Sequence, residues 1–196
     1  FKADIADGLA RINASGFYYD YRDFQTFNWT GLSGSISNSD AQSYGSEIEL
    51  SVFPTNRLDG SLGISLLDTN IDDVDNGTIV RDTEMAFAPN FTMNGVVRYS
   101  HPVADGLLTL QWDFNFLSEK FNDNFNNPSS NHGDVFRTNA RVSYVPHSER
   151  WEASFFVQNI TDEANLIKAD AFVGLGFRQA VYDPPRWFGG SIRYNF

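Results

Sequence analysis

The residues from Leu108 to Phe116 read LTLQWDFNF. Every second side chain in this stretch is apolar, and the side chains between them are polar. A period of two is typical of a β-strand, because successive side chains of a strand point to opposite faces. The stretch therefore predicts a strand with one apolar and one polar face, and no segment of the chain keeps an apolar stripe at the helical period.

The same alternation recurs along the whole chain. The predicted strands cover residues 9–21, 44–53, 58–68, 87–100, 107–118, 134–145, 150–160 and 185–196. Short turns alternate with long polar connections, which lie near residues 22–43, 69–86, 119–133 and 161–184. This rhythm predicts one antiparallel meander in an all-β protein, with the short turns at one end and the long loops at the other.

The two faces of these strands differ in charge. One face collects 35 positions without a charged residue, whereas 9 of the 30 positions on the other face are charged. A soluble β-sandwich also alternates and is one explanation. Aromatic residues at both strand ends favour a membrane barrel, because they concentrate where a bilayer meets water. Those near the short turns are Tyr99, Tyr144, Trp151, Tyr194 and Phe196, and those toward the long loops are Tyr18, Tyr19, Tyr21, Phe116, Phe136 and Phe188.

Composition excludes several classes of function. The 196 residues are 41% hydrophobic and 15% aromatic, which is typical of a folded protein. The net charge of -11 has the wrong sign for a nucleic-acid partner. The absence of Cys excludes disulfides and thiolate metal sites. The chain has no apolar run of membrane-helix length, and it begins with Phe rather than with an initiator Met or a signal peptide, so we expect it to start partway through a longer protein.

The polar face also indicates how wide the barrel is. It is rich in Ser, Gly, Asn and Thr, which predicts an open lumen rather than a small barrel filled by side chains. An open sheet is unstable in lipid, because each edge leaves a row of unpaired backbone groups in hydrocarbon. The sheet is therefore expected either to close on itself or to continue in further strands.

Five segments resemble motifs of the carboxy-terminal part of TonB-dependent outer-membrane receptors. They are LARINASGFYYDYRDFQ (9–25), YGSEIELSVFP (44–54), FAPN (87–90), VQNITDE (157–163) and PRWFGGSIRYNF (185–196). Their order and spacing are similar to the family's pattern over essentially the whole chain. The resemblance implies that residues 1–196 form the last eight strands of a 22-stranded transmembrane β-barrel, and that the plug domain, the TonB box and the earlier strands lie outside this chain.

The resemblance also implies a function and partners. A TonB-dependent receptor imports a scarce nutrient across the outer membrane of a Gram-negative bacterium, and a ferric siderophore is the first expectation. The implied partners are outer-membrane lipid, the TonB complex through the missing amino-terminal part, and the barrel assembly machinery. Neither an enzymatic activity nor a cofactor is expected. The alternative is an autonomous eight-stranded barrel with a structural, adhesive or enzymatic role.

The long loops combine aromatic and basic residues, which suit an anionic, aromatic iron chelate. The candidate ligand-binding residues are Trp29, Lys120, Phe121, Arg178 and Tyr182. Each could instead belong to an aromatic girdle or to the packing of the loops.

Charged residues on the polar face predict a network that lines the lumen. Its members are Glu47, Glu49, Arg137, Arg141, Glu152 and Arg193. A short turn at residues 146–149 sets Ser143 roughly opposite Glu152, so Arg141 lies diagonally within reach of that carboxylate. Substrate contact is the alternative role for these charges. The terminal Phe196 resembles the assembly signal of outer-membrane barrels.

The acidic stretch from Asp68 to Gly77 places oxygen-bearing side chains at nearly alternate positions. It departs from the EF-hand pattern at Asp73 and lacks the closing Glu, so a solvated acidic loop is expected rather than a calcium site. His101, His132 and His147 share no metal-ligand spacing, and no arrangement for nucleophilic catalysis is present.

Overall fold

The computed structural model describes residues 1–30, 33–75, 77, 79–172 and 175–195. Its strands are β1 (Lys2–Ile5), β2 (Ala10–Thr30), β3 (Ser33–Thr55), β4 (Leu58–Asp75), β5 (Val80–Thr83), β6 (Phe91–Val103), β7 (Gly106–Leu117), β8 (Lys120–Phe121), β9 (Asn131–His132), β10 (Val135–Pro146), β11 (Trp151–Gln158), β12 (Leu166–Phe172), β13 (Phe177–Tyr182) and β14 (Trp187–Tyr194). A 3-10 turn covers Pro128–Ser130. No helix in these ranges has the length and apolar character needed to cross a membrane.

One antiparallel sheet contains all the long strands. Its order is β1-β2-β3-β4-β6-β7-β10-β11-β14, and β5 adds to β4 as a side branch. Each predicted segment contributes a strand to this sheet, but the expected number of strands was too low, because β1 and β5 bring the total to ten. Two small sheets, β8-β9 and β12-β13, lie within the long connections.

The strand register confirms the division into two faces. Ile48 pairs with Ala14 and with Ile64, and Trp112 pairs with Val97 and with Ala140, so apolar positions meet apolar positions across the sheet. We call this side the apolar face and the side that holds Glu47 the polar face. The division follows from the strand period, because a slip of one residue would exchange the two faces.

The burial pattern does not match a water-soluble sandwich. Ile48 is 42% exposed and Leu110 is 49% exposed, although both belong to the apolar face. The buried hydrophobic side chains among the described residues are Ala41, Ile71, Val74, Phe125, Val135 and Ala169. Most of the large apolar side chains therefore remain outside any protein core.

The prediction of a long polar loop near residues 22–43 is wrong. Strands β2, β3 and β4 run for 21, 23 and 18 residues, roughly twice the 9–11 residues that cross a bilayer. Residues 22–30 and 33–43 therefore form the outer half of a β-hairpin. Alternation did not predict this extension, because Ser33–Ser39 is largely polar on both of its faces.

The aromatic girdle needs one correction. Tyr18 pairs with Tyr44 on the apolar face, whereas Tyr19 pairs with Ser43 and Tyr21 pairs with Ala41 on the polar face. Tyr19 and Tyr21 therefore do not belong to a lipid-facing girdle. At the other end, Tyr144 contacts Trp151 with ring centroids 5.6 Å apart. Phe196 lies outside the described residues.

Candidate functional site

The ends of the sheet with long connections hold a small buried core on the polar face. Ala41, Ile71, Val74 and Phe125 form its centre, and Phe24 and Met85 pack against it. Phe125 belongs to the connection between β7 and β10, so this loop folds inward over strands β3 and β4. The loops at this end thus have a packed base, which we call the loop base.

Asn126 fastens this connection to the neighbouring one. Its Oδ1 accepts a hydrogen bond from the Glu84 N–H at 2.6 Å, and its Nδ2 donates to the Glu84 carbonyl at 3.0 Å. The side-chain amide thus makes the two hydrogen bonds that the backbone of a neighbouring strand would make with Glu84. Arg81 Nη2 adds hydrogen bonds to the carbonyls of Phe125, at 2.7 Å, and Asn126, at 3.2 Å. The loop base is therefore cross-linked by directional bonds as well as by apolar packing.

The β12-β13 hairpin is attached to the β8-β9 hairpin through a polar contact. Asn122 Nδ2 donates a hydrogen bond of 2.9 Å to the carbonyl of Ala169, and both residues are buried. His132 of β9 is 1% exposed. Within the described ranges, neither ring nitrogen of His132 has a hydrogen-bond partner of good geometry, and the same holds for Asn122 Oδ1. The contact between the two hairpins is therefore incompletely satisfied.

Two titratable groups near the long loops, His132 and Glu84, are shifted toward their neutral forms. Burial lowers the pKa of the His132 imidazole, and the neighbouring charges of Lys120 and Arg178 act in the same direction. Burial also raises the pKa of Glu84, and the carboxylates of Asp68 and Glu119 add to this effect. The end of the sheet with the long loops therefore carries both cationic and partly buried acidic groups.

Four of the five predicted ligand-binding residues lie on these two hairpins. Lys120 and Phe121 form β8, and Arg178 and Tyr182 lie on β13. The Lys120 ammonium lies 5.9 Å from the centroid of the Phe87 ring. Tyr182 is 57% exposed. The backbone of Trp29 pairs with Gly34 near the tip of the β2-β3 hairpin, and its side chain lies outside the described part of the structure.

The six charged residues predicted for the polar face divide into separate contacts. Arg141 Nη2 lies 3.2 Å from Glu152 Oε1, which confirms the predicted pair. The register predicted for it was wrong by two residues, because Ser143 lies opposite Ser154 rather than opposite Glu152. Arg137 instead pairs with Asp183, a partner in the β13-β14 connection that sequence spacing could not indicate. Arg193 pairs in register with Glu152 across β11 and β14.

Glu47 and Glu49 have neutral partners. Glu47 accepts a hydrogen bond from Ser15 Oγ at 3.4 Å, and Glu49 accepts one from Asn13 Nδ2 at 3.2 Å. Each of these pairs lies directly across β2 and β3, so strand register alone brings them together. These carboxylates and the arginine contacts lie on different parts of the sheet rather than in one continuous network.

Among the described residues, sequence reasoning missed three further ion pairs. One joins Arg11 to Asp4 at 2.7 Å across β1 and β2. Arg98 binds Asp59 at 2.7 Å, and Arg186 binds Asp162 at 3.5 Å. The Arg98–Asp59 contact is a direct cross-strand pair between β4 and β6, so a correct register would have predicted it. The Arg186–Asp162 contact joins the two ends of a long connection and leaves no signal in the strand alternation.

The acidic stretch after β4 is occupied by local contacts. Asp72 Oδ1 accepts a hydrogen bond from Asn70, and Asp75 Oδ1 accepts one from the Gly77 N–H at 2.7 Å. Asp82 accepts a hydrogen bond of 3.1 Å from the Asp73 N–H. Among the residues that the structure describes, no three His, Cys, Asp or Glu side chains are grouped to hold a metal ion.

Comparisons with known proteins agree with this architecture. A profile of the family described as "TonB dependent receptor-like, beta-barrel" matches residues 1–160. No curated protein sequence matches the chain.

Solved structures with the same fold share little sequence with the chain. The ferric yersiniabactin uptake receptor FyuA from Yersinia pestis superposes with a TM-score of 0.80 at 16% identity, over 100% of this chain and 28% of the receptor. The ferric preacinetobactin receptor BauA from Acinetobacter baumannii gives 0.73 at 16% identity, over 100% of this chain and 28% of its own length. The copper transporter OprC gives 0.71 at 18% identity, over 96% of this chain and 29% of its own.

The chain spans less than a third of the length of these structures. At such low identity the superpositions establish the fold, an antiparallel transmembrane β-barrel wall. The profile covers most of the chain, including strands β1 to β11. The chain therefore belongs to the TonB-dependent receptor-like β-barrel family.

Proposed function

We propose that this chain is the carboxy-terminal part of an outer-membrane receptor of a Gram-negative bacterium that imports a scarce nutrient, with a ferric siderophore as the first cargo to test. The family assignment supports transport rather than enzymatic activity. Two of the similar structures are named as receptors for ferric siderophores, and another is named as a copper transporter. The proposal that the cargo is an iron chelate therefore has to rest on the residues of this chain.

The arrangement of the long loops provides that support. Lys120 and Phe121 on β8 and Arg178 and Tyr182 on β13 lie on two hairpins in contact with each other. Cationic groups bind the anionic oxygens of an iron chelate, and aromatic rings bind its apolar parts. A fixed base lowers the entropy cost of binding, because the loops need little ordering when the ligand arrives.

The proposed partners follow from the two faces of the sheet and from the family. The apolar face would contact outer-membrane lipid, since its large side chains are exposed. The TonB complex would act through a part of the receptor outside this chain. The barrel assembly machinery would recognise the last strand of this chain, β14, together with Phe196.

The sheet does not support the alternative of an autonomous small barrel. Within the described residues, β1 and β14 are the two ends of the strand order and do not pair with each other. An unpaired strand edge in hydrocarbon costs several kcal/mol for each unsatisfied backbone group. We propose that further strands of the same receptor cover these edges.

Uptake of radioactive iron by cells with the full-length receptor tests this proposal. We expect uptake to require both the receptor and TonB. Replacing Trp29, Lys120, Arg178 and Tyr182 together by Ala should reduce both uptake and ligand affinity. A control variant changes Asn56, Arg57, His147 and Arg150 to Ala, since these residues lie at the short-turn end of the sheet. Unchanged affinity in the loop variant, with normal receptor amounts, would exclude these loops as the site.

A further inference from the structure

A shallow groove crosses the apolar face of the sheet near the short turns. Its volume is about 540 Å³, and it lies over strands β7, β10, β11 and β14. Its lining on the apolar face includes Leu108, Tyr144, Ala153, Phe155, Gly190 and Ile192. We call it the wall groove.

The strand register explains why a groove forms at this place. In one row across the sheet Ala153 lies between Tyr144 and Ile192, and in the next row Gly190 lies beside Phe155. Phe155 is 52% exposed and Ile192 is 82% exposed, so both side chains stand out from the sheet. A small residue in each row thus opens the space between large neighbours, which form the walls.

The floor of the wall groove is the backbone of the sheet. Ser143, Ser154 and Ser191 also line the groove, and they pair with one another across β10, β11 and β14. Their side chains belong to the polar face, because they alternate with the apolar positions. The Ser154 and Ser191 hydroxyls accordingly bond to each other, at 2.8 Å. These serines therefore contribute main-chain atoms whose hydrogen bonds are made within the sheet.

The dimensions of the wall groove match one lipid chain. Four strands spaced about 4.8 Å apart give it a length of about 14 Å, and the two rows that bound it are about 7 Å apart. One leaflet of a bilayer supplies about 15 Å of hydrocarbon, half of a core of about 30 Å. Because the strands of such barrels are tilted by about 35–45°, a groove that crosses them rises obliquely through the leaflet.

We propose that the wall groove is a fixed binding site for one acyl chain of a phospholipid in the leaflet beside the short turns. This inference rests on the proposed contact of the apolar face with lipid, with which the groove is continuous, and it does not depend on the cargo. The lining offers apolar contacts, and the Tyr144 hydroxyl at its edge already donates a hydrogen bond to Asp105, at 2.9 Å. A bound chain would contact four strands at once, including β14.

The width of the groove favours an acyl chain over a protein segment. An α-helix with its side chains is about 10–12 Å across, which is wider than the space of about 7 Å between the rows. An added β-strand would leave its own backbone unpaired in hydrocarbon, because the peptide groups of the floor are paired within the sheet. A flexible hydrocarbon chain has neither problem.

The rim of the groove lies at the boundary between hydrocarbon and headgroups. Trp151 and Tyr194 pair with each other one row nearer to the short turns, and the ring centroids of Trp151 and Tyr144 are 5.6 Å apart. Aromatic belts of this kind sit at the level of the headgroups. The adjoining turn carries Glu149 and Arg150, which have opposite charges. The site would therefore select the chain rather than the headgroup.

Photo-crosslinking tests this site in the full-length receptor. The probe is a phosphatidylcholine with a diazirine on one acyl chain, diluted into nanodiscs of unlabelled phosphatidylcholine, and mass spectrometry locates the labelled segments. We expect labelling of β11 and β14 to exceed that of residues 46–52 of β3, which share the apolar face but lie outside the groove. The excess should be about 3- to 5-fold, since every other lipid contact on the barrel also offers dispersion attraction.

A pair of matched variants locates the site. A153F fills the wall groove, and A14F places the same side chain on the apolar face of β2, where Ala14 pairs with Ile48. Both new side chains point toward lipid, so neither overpacks a protein core. The excess labelling should disappear in A153F and persist in A14F. If A153F reaches the membrane in low amounts, A153L provides the same test with a smaller side chain.

The contrary outcomes are distinguishable from one another. Equal labelling of the two regions, or an excess that persists in A153F, would refute the groove site and leave the contact with lipid in place. An apolar face without label on any strand would refute the contact with lipid as well. A receptor dimer in native electrophoresis that A153F dissociates, without excess lipid labelling at the groove, would assign the groove to a second copy of the receptor.

Discussion

The ring of Phe156 occupies the space that a side chain on Gly189 would fill. The two residues pair directly across β11 and β14, and a Cβ atom placed on Gly189 would lie 2.4 Å from Phe156 Cζ. The same relationship holds between Phe17 and Gly45, where the distance to Phe17 Cζ is 2.8 Å. Phe17 and Phe156 are bulky apolar residues on the polar face, and each covers a glycine on the next strand. Their presence there is explained by this packing.

Gly189→Ala should therefore destabilise the barrel by about 1–3 kcal/mol, the usual cost of overpacking a well-filled contact. The effect would appear as a lower temperature of heat-induced unfolding of the full-length receptor in detergent. Gly133→Ala is the matched control, because no atom lies within 4 Å of a Cβ placed there. In the double variant Phe156→Ala/Gly189→Ala the clash is removed, so Gly189→Ala should cost little in that background. Equal costs in both backgrounds would contradict the proposed contact.

The Arg141–Glu152 pair should contribute little to stability. The side chains are 42% and 29% exposed, and their atoms approach to 3.2 Å. Exposed ion pairs of this kind are worth under about 1 kcal/mol, since water and salt screen the attraction. Glu152→Gln should thus shift the unfolding temperature only slightly, and the shift should vanish at high salt. A large loss that persists in salt would mean that the pair is buried in the complete receptor.

The sequence predicts the wall of the barrel better than its loops. Alternation placed Ile48, Leu110 and Trp112 on the apolar face, because a strand between lipid and water needs side chains of opposite character on its two faces. A strand segment outside the bilayer does not need one apolar and one polar face. Ser33–Ser39, in the outer half of β3, is largely polar on both faces, and the hairpin that it forms with β2 was mistaken for a loop.

The candidate site shows the same limit. The short turn at residues 146–149 indicated that Arg141 and Glu152 lie near each other, although the predicted register was wrong by two residues. The partner of Arg137 could not be predicted, since Asp183 lies 46 residues away in a connection without periodicity. The face of the sheet on which Phe24 lies could not be predicted either, because it depends on a bulge at Asp23 that alternation does not reveal.

The contact between the β8-β9 and β12-β13 hairpins should weaken in acid. The pKa of buried His132 is lowered in the folded protein, so the folded state favours the neutral imidazole. The unfolded loop binds a proton more readily, and stability is therefore full above the ordinary His value of about 6.5 and declines as the pH falls toward the lowered pKa. Lys120 on β8 and Arg178 on β13 oppose a positive charge there, whereas the backbone of Ile167 on β12 favours one.

Hydrogen exchange at residues 118–134 and 166–182 measures this weakening. Protection from exchange, corrected for the intrinsic pH dependence of amide exchange, should fall below about pH 6.5 in the unmodified receptor, and this fall should disappear in His132→Gln. His147→Gln is the control, because His147 lies exposed in the turn at the opposite end of the sheet. A pH dependence that survives His132→Gln would assign the effect to other groups.

Deleting Phe196 should reduce assembly more than stability. The residue lies outside the described part of the chain, but β14 pairs with β11 as far as Tyr194 and Trp151, so this end of β14 lies beside the short turns. If the assembly machinery recognises the last strand by strand addition, loss of its terminal aromatic residue slows insertion. A residue that only packs at the membrane boundary would instead contribute at most about 1.5–3 kcal/mol to the folded barrel. The amount of receptor in the outer membrane and its unfolding temperature distinguish these roles. We expect a large fall in the amount and a small change in the temperature, whereas normal amounts with a lower unfolding temperature would leave Phe196 with a packing role alone.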